Sequence, residues 1–366
     1  AKLLAADVNN QIAMYFTTPM KIDANNDGEI QFGEALSITY LDVRNSNISD
    51  MTGIEAFINL DNLTCSENQL TSIDVSALSN LYGFYCENNS LTNINLSGGY
   101  LTYFYCQNNQ LTSLDLSAHM GLSVLDCSDN NITSIQFPVS SFLTELRCNS
   151  NPITSLDLSP FVFLMSLHCT NTLITTLDCN SSTSLVSLYI HSNSLLETVL
   201  LKNGSDESFD MDPGSWLENW NSLPSLQYVC ADENQVASIQ VLIPAGTASV
   251  SSYCTFTPGG DFNTINGVAT SDANNNGCDP LDLNQPFIKI NISDGIENGS
   301  VFTSNNGAYE FFTQAGIYTL TNELLEKELI PLLYTDYNYK PSNKAYINAG
   351  YEDTGILINF TCSKNK

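Results

Sequence analysis

Six cysteines, Cys65, Cys86, Cys106, Cys127, Cys148 and Cys169, recur at steps of 21, 20, 21, 21 and 21 residues. Each sits in a copy of one phrase: LDNLTCSENQL, LYGFYCENNSL, LTYFYCQNNQL, LSVLDCSDNNI, LTELRCNSNPI and LMSLHCTNTLI. A fixed period of this length means one supersecondary unit per repeat, and such a unit buries its apolar side only by stacking on its neighbours. The chain is therefore expected to fold as a coil of short strands.

Alternation along a strand sends Leu81, Phe84 and Cys86 inward and leaves Gly83, Tyr85 and Glu87 outward, because successive side chains point to opposite faces. The asparagine three residues after each Cys (Asn68, Asn89, Asn109, Asn130, Asn151) falls where the chain leaves the strand. Its amide can satisfy backbone groups of the adjacent turn that would otherwise be buried unpaired. Thr172 breaks that series and Asn193 resumes it, with Ile190 at the Cys position. A second phrase (LTSIDVS, LTNINLS, LTSLDLS, ITSIQFP, ITSLDLS, ITTLDCN) follows each Asn and is expected as a short extended segment on the other wall. The pattern L-x-x-L-x-C-x-x-N-x-L resembles the leucine-rich repeat. ITYLDVRNSNI from Ile38 reads as a first copy without Cys, LETVLLKNG from Leu196 and LPSLQYVC from Leu223 read as degenerate last copies, and the count is about nine turns.

Neighbouring turns of a parallel coil lie about 4.8 Å apart with side chains aligned, whereas a disulfide needs Cβ atoms converging to about 3.8 Å. The cysteine column accordingly reads as free, buried, small hydrophobes. Zinc would need clustered ligands such as C-x-x-C, and the sequence has none. Cys230 and Cys254 bracket the end of the coil and are candidates for a closing bridge, with Cys278 and Cys362 a second candidate pair; Cys179 takes the place of a Leu in its phrase.

Ahead of the repeats stands Asp23-Ala-Asn25-Asn-Asp27-Gly28-Glu29-Ile-Gln31-Phe-Gly-Glu34. The spacing resembles an EF-hand calcium loop. That resemblance implies oxygen ligands from Asp23, Asn25 and Asp27, a turn at Gly28, the Glu29 carbonyl, Gln31 directly or through water, and a bidentate Glu34. Residues 1–37 are read as a cap whose preceding stretch, VNNQIAMYFTTPMKI, has apolar residues at helical spacing. The repeats then span 38–235, a Gly/Pro/Ser-rich linker 236–261, and a β-domain 262–366. Both tryptophans, Trp216 and Trp220, are expected near the end of the coil.

The last segment alternates short strands with Gly and Asn turns and reads as a small β-sandwich. It opens with Asp272-Ala-Asn274-Asn-Asn276-Gly-Cys278-Asp279-Pro-Leu-Asp282, which resembles the opening of B-type repeats in bacterial surface adhesins. That resemblance implies an immunoglobulin- or transthyretin-like module with calcium held by Asp272, Asn274, Asn276, the Cys278 carbonyl, and Asp279 or Asp282. In combination, cap, repeats and β-domain resemble the large secreted leucine-rich-repeat proteins of Bacteroidetes. Such proteins usually end in a type IX secretion signal. None is recognisable here, and the chain reads as a fragment or a processed form.

Thirty-nine acidic against eleven basic residues give a formal charge of −28, which argues against nucleic-acid or anionic-membrane binding. No run of about 18 apolar residues is present, so no direct membrane insertion is expected. The three histidines accompany no G-x-S-x-G, H-E-x-x-H or P-loop, and no enzyme is expected. Function is expected on the outward strand positions: Tyr85, Tyr103, Tyr105, Asp126, Glu145 with Arg147, His168, Tyr189, His191 and Lys202. Tyrosine and arginine carry much of the energy at interfaces, and tyrosine faces also stack on sugars. The sequence thus points to a secreted or cell-surface protein of a bacterium that binds a protein or glycan on its concave face, stabilised by Ca2+. A stalk or subunit of a larger surface assembly, and an accessory module of a polysaccharide or peptide uptake system, are the alternatives.

Overall fold

The computed structural model describes residues 3–96, 98–205, 207, 220, 222–244, 247–254, 263–271, 283–323, 346–347 and 356–364. The chain divides into two compact units, one of residues 1–177, 181–196 and 205–224, the other of 178–180, 197–204 and 225–366.

The first unit is a leucine-rich-repeat solenoid, part of a coil of about nine turns in all. Its first-phrase strands form one ten-stranded sheet. Eight of them are parallel: Tyr40–Asp42, Asn62–Thr64, Gly83–Tyr85, Tyr103–Tyr105, Val124–Asp126, Glu145–Arg147, Ser166–His168 and Ser187–Tyr189. Each is three residues long, with its central Leu or Phe buried. Leu41, Leu63, Phe84, Phe104, Leu125, Leu146 and Leu167 are fully buried, and every column cysteine is buried as a free thiol. Several thiols donate weakly to a carbonyl of the next turn, as Cys86 Sγ does to Tyr105 O (3.5 Å) and Cys127 Sγ to Arg147 O (3.4 Å).

The asparagine column closes the backbone ledger at the strand exit. Asn130 Nδ2 donates to the carbonyls of Cys106, Cys127 and Ser128 at 3.0 to 3.1 Å, and its Oδ1 accepts the N–H of Leu111 at 3.0 Å. Asn89, Asn109 and Asn151 repeat the pattern. At the break, the N–H and hydroxyl of Thr172 both donate to Asn193 Oδ1, which ties the threonine to the next turn. One residue earlier in each turn the backbone is left-handed: Asn45, Glu67, Asn88, Asn108, Asp129, Ser150, Asn171 and Ser192 have φ between +49° and +62°. Their N–H groups continue the ladder, Asn108 to Ser128 O and Asp129 to Asn149 O among them. Asn and Asp dominate the column because short polar side chains tolerate this region best.

Two expectations for the cap and the repeats change. The stretch before the acidic loop forms an antiparallel hairpin, Ala13–Tyr15 with Thr18–Pro19, where apolar spacing suggested a helix. β-branched Thr17 and Thr18 followed by Pro19 favour extended backbone, and Ala13–Met14 extends the ten-stranded sheet by pairing with Tyr40–Leu41. Helical structure in the cap is limited to the 3-10 turn Leu3–Ala5 and the single turn Phe32–Ala35. LETVLLKNG is not a copy of the first phrase: Cys179 N–H donates to Leu200 O, so Thr198–Leu201 lies beside a second-phrase segment.

In the second unit, Thr198–Leu201, Tyr228–Ala231 and Ser249–Ser251 pair in parallel. Cys230 and Cys254 form a disulfide, Cα atoms 5.7 Å apart. The stretch expected as a linker holds, in its described part, the helix Val236–Leu242 with Val236 and Ile239 buried, and Tyr253 enters the core of the following domain. Its Ala, Gly, Pro and Ser content masked the spacing of Val236, Ile239 and Ile243. Among the described residues, the β-domain is a sandwich of two four-stranded sheets. Asn263–Ser271 pairs with Leu283–Asn284, Ala308–Thr313 and Ile356–Lys364, and Lys289–Ser293 lies between Asn298–Phe302 and Ile317–Glu323, which pairs with Tyr346–Ile347. Ile265, Phe311, Ile290, Ile292 and Leu320 fill the space between the sheets around Tyr253. A Cβ on Gly299 would stand 2.5 Å from the Tyr253 backbone nitrogen, so only glycine permits that approach.

Candidate functional site

Because the eight parallel strands pair in register, outward residues of consecutive turns stand side by side. One column runs Thr64, Tyr85, Tyr105, Asp126, Arg147, His168, Tyr189. A second, two residues earlier in each strand, runs Asn62, Gly83, Tyr103, Val124, Glu145, Ser166, Ser187. The candidate residues Tyr85, Tyr103, Tyr105, Asp126, Arg147, His168 and Tyr189 thus share one surface. His191 lies beyond Ile190 on the strand exit, where its Nδ1 is 3.2 Å from Ser192 Oγ. The register neighbour of His168 is Tyr189 rather than His191. Lys202 belongs to the second unit, with its N–H on Asn180 Oδ1 and its Nζ 3.9 Å from Glu297.

The rings are ordered by the strand spacing. Tyr85 and Tyr105 stack with centroids 5.3 Å apart and planes 12° off parallel, and His168 stacks on Tyr189 at 4.1 Å and 14°. Each of these rings covers one face of its partner; the other register neighbours are Thr64 for Tyr85 and Asp126 for Tyr105, while Tyr189 stands on the edge strand of the sheet. What the tyrosines offer outward is their edges and hydroxyls. Gly83 stands opposite Tyr103 and gives it no side-chain neighbour there, and the Tyr103 ring meets Tyr82 edge-on at 5.3 Å.

Charge on this surface is largely paired within strands. Arg147 Nε donates to Glu145 Oε1 at 2.5 Å, and Arg44 pairs with Asp42 at 2.9 Å. Asp126, nearly buried, accepts the N–H of Ser128 at 3.0 Å; burial raises its carboxyl pKa, against the lowering effect of Ser128 and Arg147. Glu87 on the next position out is likewise raised by burial. Burial first, and then the neighbouring Arg147 charge, bring His168 down to about 4, so its imidazole is neutral near pH 7 and its Nε2 lies 3.1 Å from Ser166 Oγ. His119 is buried away from this face, also with a lowered pKa from burial. The Ser166 hydroxyl thus stands beside an imidazole that burial has made a weak base.

The acidic loop is a separate candidate. Gly28 has φ +85° at the sixth position, and Asp23 is buried with its carboxylate accepting the N–H groups of Asp27 (3.2 Å) and Gly28 (3.3 Å). Glu34 reaches back across the loop to accept from Ala24 (2.8 Å) and Gln31 (3.0 Å). Asp27 Oδ1 accepts the N–H of Glu29 at 2.9 Å, and that bond holds the carboxyl below its ordinary range. Among the described residues no three His, Cys, Asp or Glu side chains converge as a metal-holding group. The donor set nevertheless suits a hard cation: it is all oxygen, and a carboxylate oxygen that accepts one N–H retains a further lone pair. The second acidic segment, Asp272 to Asp282, lies outside the described residues, as does Trp216; Trp220 is buried.

No family model matches the sequence, and no curated relative matches it. Among solved structures, the chain is similar to a functional domain of InlJ from Listeria monocytogenes that includes a cysteine ladder, at 20% identity over 85% of this chain and 97% of that one, with a TM-score of 0.24. An internalin C2 from Listeria monocytogenes is 21% identical over 55% of this chain and 84% of that one, TM-score 0.33. A leucine-rich-repeat protein of Leptospira interrogans is 14% identical over 60% and 74%, TM-score 0.29. At such values no activity or partner is carried across.

No helix among the described residues is long and apolar enough to cross a membrane.

Proposed function

We propose that this chain is a non-enzymatic binding protein, secreted or held on the outer surface of a bacterium, that takes a protein ligand on the outward face of its ten-stranded sheet. The observation that carries this reading is the unbroken register column Tyr85, Tyr105, Asp126, Arg147, His168, Tyr189. Four different side-chain chemistries on one rigid sheet suit a specific interface, with tyrosine and arginine as anchors. Between the two ligand classes the ring geometry favours protein. A sugar stacks on an open aromatic face, and here Tyr85 with Tyr105, and His168 with Tyr189, each spend one face on the other. The disulfide Cys230–Cys254 supports an oxidising, extracytoplasmic setting.

Calcium is part of the proposal as a structural staple of the cap. Asp23, Asn25, Asp27, the Glu29 carbonyl, Gln31 and Glu34 would hold it, and a hard cation there would tie the loop to the strand that follows. The test of the binding face is a screen of wild type and a Tyr85→Ala, Tyr103→Ala, Tyr105→Ala variant against protein and glycan arrays. Protein hits lost in the variant are expected; hits retained unchanged would refute this face as the contact surface. For calcium, EDTA should lower the melting temperature and added Ca2+ restore it. An unaltered melting curve would remove the metal from the account.

A further inference from the structure

The solenoid carries a second surface that the binding face does not use. Between each second-phrase segment and the next first-phrase strand, the chain makes a turn, and six successive turns (75–82, 96–102, 116–123, 137–144, 158–165 and 181–186) contain no Asp, Glu, Lys or Arg. In a chain of formal charge −28 that is a marked exclusion. The turns of the later repeats also turn large apolar side chains to solvent. Met120 is 57% exposed, Phe142 57%, Phe163 51% and Met165 52%, with Val162 and Val186 beside them.

These residues form one patch. Phe142 N–H donates to Met120 O, the Phe142 and Phe163 rings stack 5.7 Å apart at 14°, and Val186 N–H donates to Met165 O at 2.9 Å. Core packing does not account for them, since Leu122, Leu143, Leu164 and Leu185 already fill the inward position of the same turns. Half-exposed, the six side chains leave roughly 500 Å² of contiguous apolar surface, at the upper end of what monomers show. With the surrounding Ser, Thr and Gly the turn row approaches the ~800 Å² per partner of a standard interface.

We infer that this row is a self-association surface, on which a second copy of the chain packs its own Met120–Phe142–Phe163–Met165 patch in a two-fold arrangement. Charge decides between occupants. A basic partner would be drawn to the acidic remainder of the molecule, where complementarity is available, and not to its uncharged row. A like-charged copy needs the reverse, a contact whose centre is free of formal charge along its length, with the carboxylates of Asp74, Asp115, Asp157 and Asp178 left at its border. Six turns at about 4.8 Å extend some 24 Å, against a Debye length of about 8 Å at physiological salt. Apolar patches are complementary to themselves, so a closed two-fold dimer follows without any second surface.

The test is sedimentation velocity of the full chain from about 1 to 100 µM. A monomer–dimer equilibrium is expected that tightens at least about tenfold between low salt and about 1 M NaCl, as repulsion between the acidic surfaces is screened. Phe142→Glu with Phe163→Glu should weaken it by at least about a hundredfold with an unchanged thermal unfolding curve. Should that pair unfold, Phe163→Glu and Phe163→Lys serve instead: each alone is expected to be monomeric and their mixture to associate. A monomer throughout the concentration range at both salts would overturn the inference. So would a charged pair that dimerises like wild type, or a wild type that stays monomeric while binding neutral phosphatidylcholine vesicles.

Discussion

The two faces of the ten-stranded sheet are made by the same three-residue strands, yet they follow opposite rules. Inward, the turns from Cys65 to Cys148 repeat one another: Leu or Phe, then Cys, then Asn at the exit. Outward, no two consecutive positions from Tyr105 to Tyr189 are alike. The inward side is fixed by a demand every turn shares, which is to fill one core and satisfy one set of carbonyls. The outward side meets no such demand and is free to be specific. Its one periodic constraint is spacing, which turns aromatic rings face to face and presents their edges.

The first way to break this comparison is at its most constrained point. Asn130→Ala removes the amide that serves Cys106, Cys127 and Ser128 carbonyls and the Leu111 N–H, leaving buried backbone groups unpaired. A loss of about 3–4 kcal/mol in urea unfolding is expected. A loss below about 1 kcal/mol would mean that the column is decoration rather than support.

The cysteines give the next contrast. Column thiols are buried, and burial raises the pKa values of Cys65, Cys86, Cys106, Cys127 and Cys148, the last to about 12, so they should resist alkylation in the folded chain. Cys230 and Cys254 are bonded and close a loop of 24-residue separation. Replacing both by Ser should cost about 3 kcal/mol, read as an earlier unfolding of the second unit. Thiol labelling of the intact protein should report slow modification of the column either way.

On the outward face, pH is the probe. The folded pKa of His168, about 4, lies below the ordinary 6.5, so the unfolded chain binds the proton more tightly. His168 therefore contributes stability that is full above pH 6.5 and is lost as pH falls toward 4. After allowance for its partial exposure the effect should be about 1–2 kcal/mol. Asp126 and Glu87, with raised carboxyl values, act in the opposite sense. The comparison of wild type with His168→Gln isolates the histidine, and parallel pH profiles would contradict its assigned environment.

The smallest effect sharpens the strand exit. Glu67 is exposed at φ +54° in a column otherwise filled mainly by Asn and Asp, and Glu67→Asn should stabilise by about 0.5 kcal/mol.

Much of this was legible from residues alone. The cysteine period located the sheet, alternation sorted its faces, and the Asn column announced its backbone role, because each depends only on stacking identical turns. The hairpin Ala13–Tyr15 with Thr18–Pro19 was not legible, since its apolar spacing fits helix and strand alike and pairing with Tyr40–Leu41 decided it. Thr198–Leu201 misled because Leu and Val occupy first and second phrases equally. The left-handed column could have been found from the Asn and Asp one place before the ladder residue. On the site, adjacency followed from the period, but ring orientation, the Arg147–Glu145 pair and the separation of His168 from His191 needed coordinates.

The central claim is that the outward column binds through tyrosine edges and hydroxyls. Tyr85→Phe with Tyr105→Phe keeps both rings and their stack and removes only the hydroxyls. For protein ligands recovered with the wild type, the account predicts a rise in Kd of at least about tenfold with stability unchanged; a Kd equal to that of the wild type would contradict it.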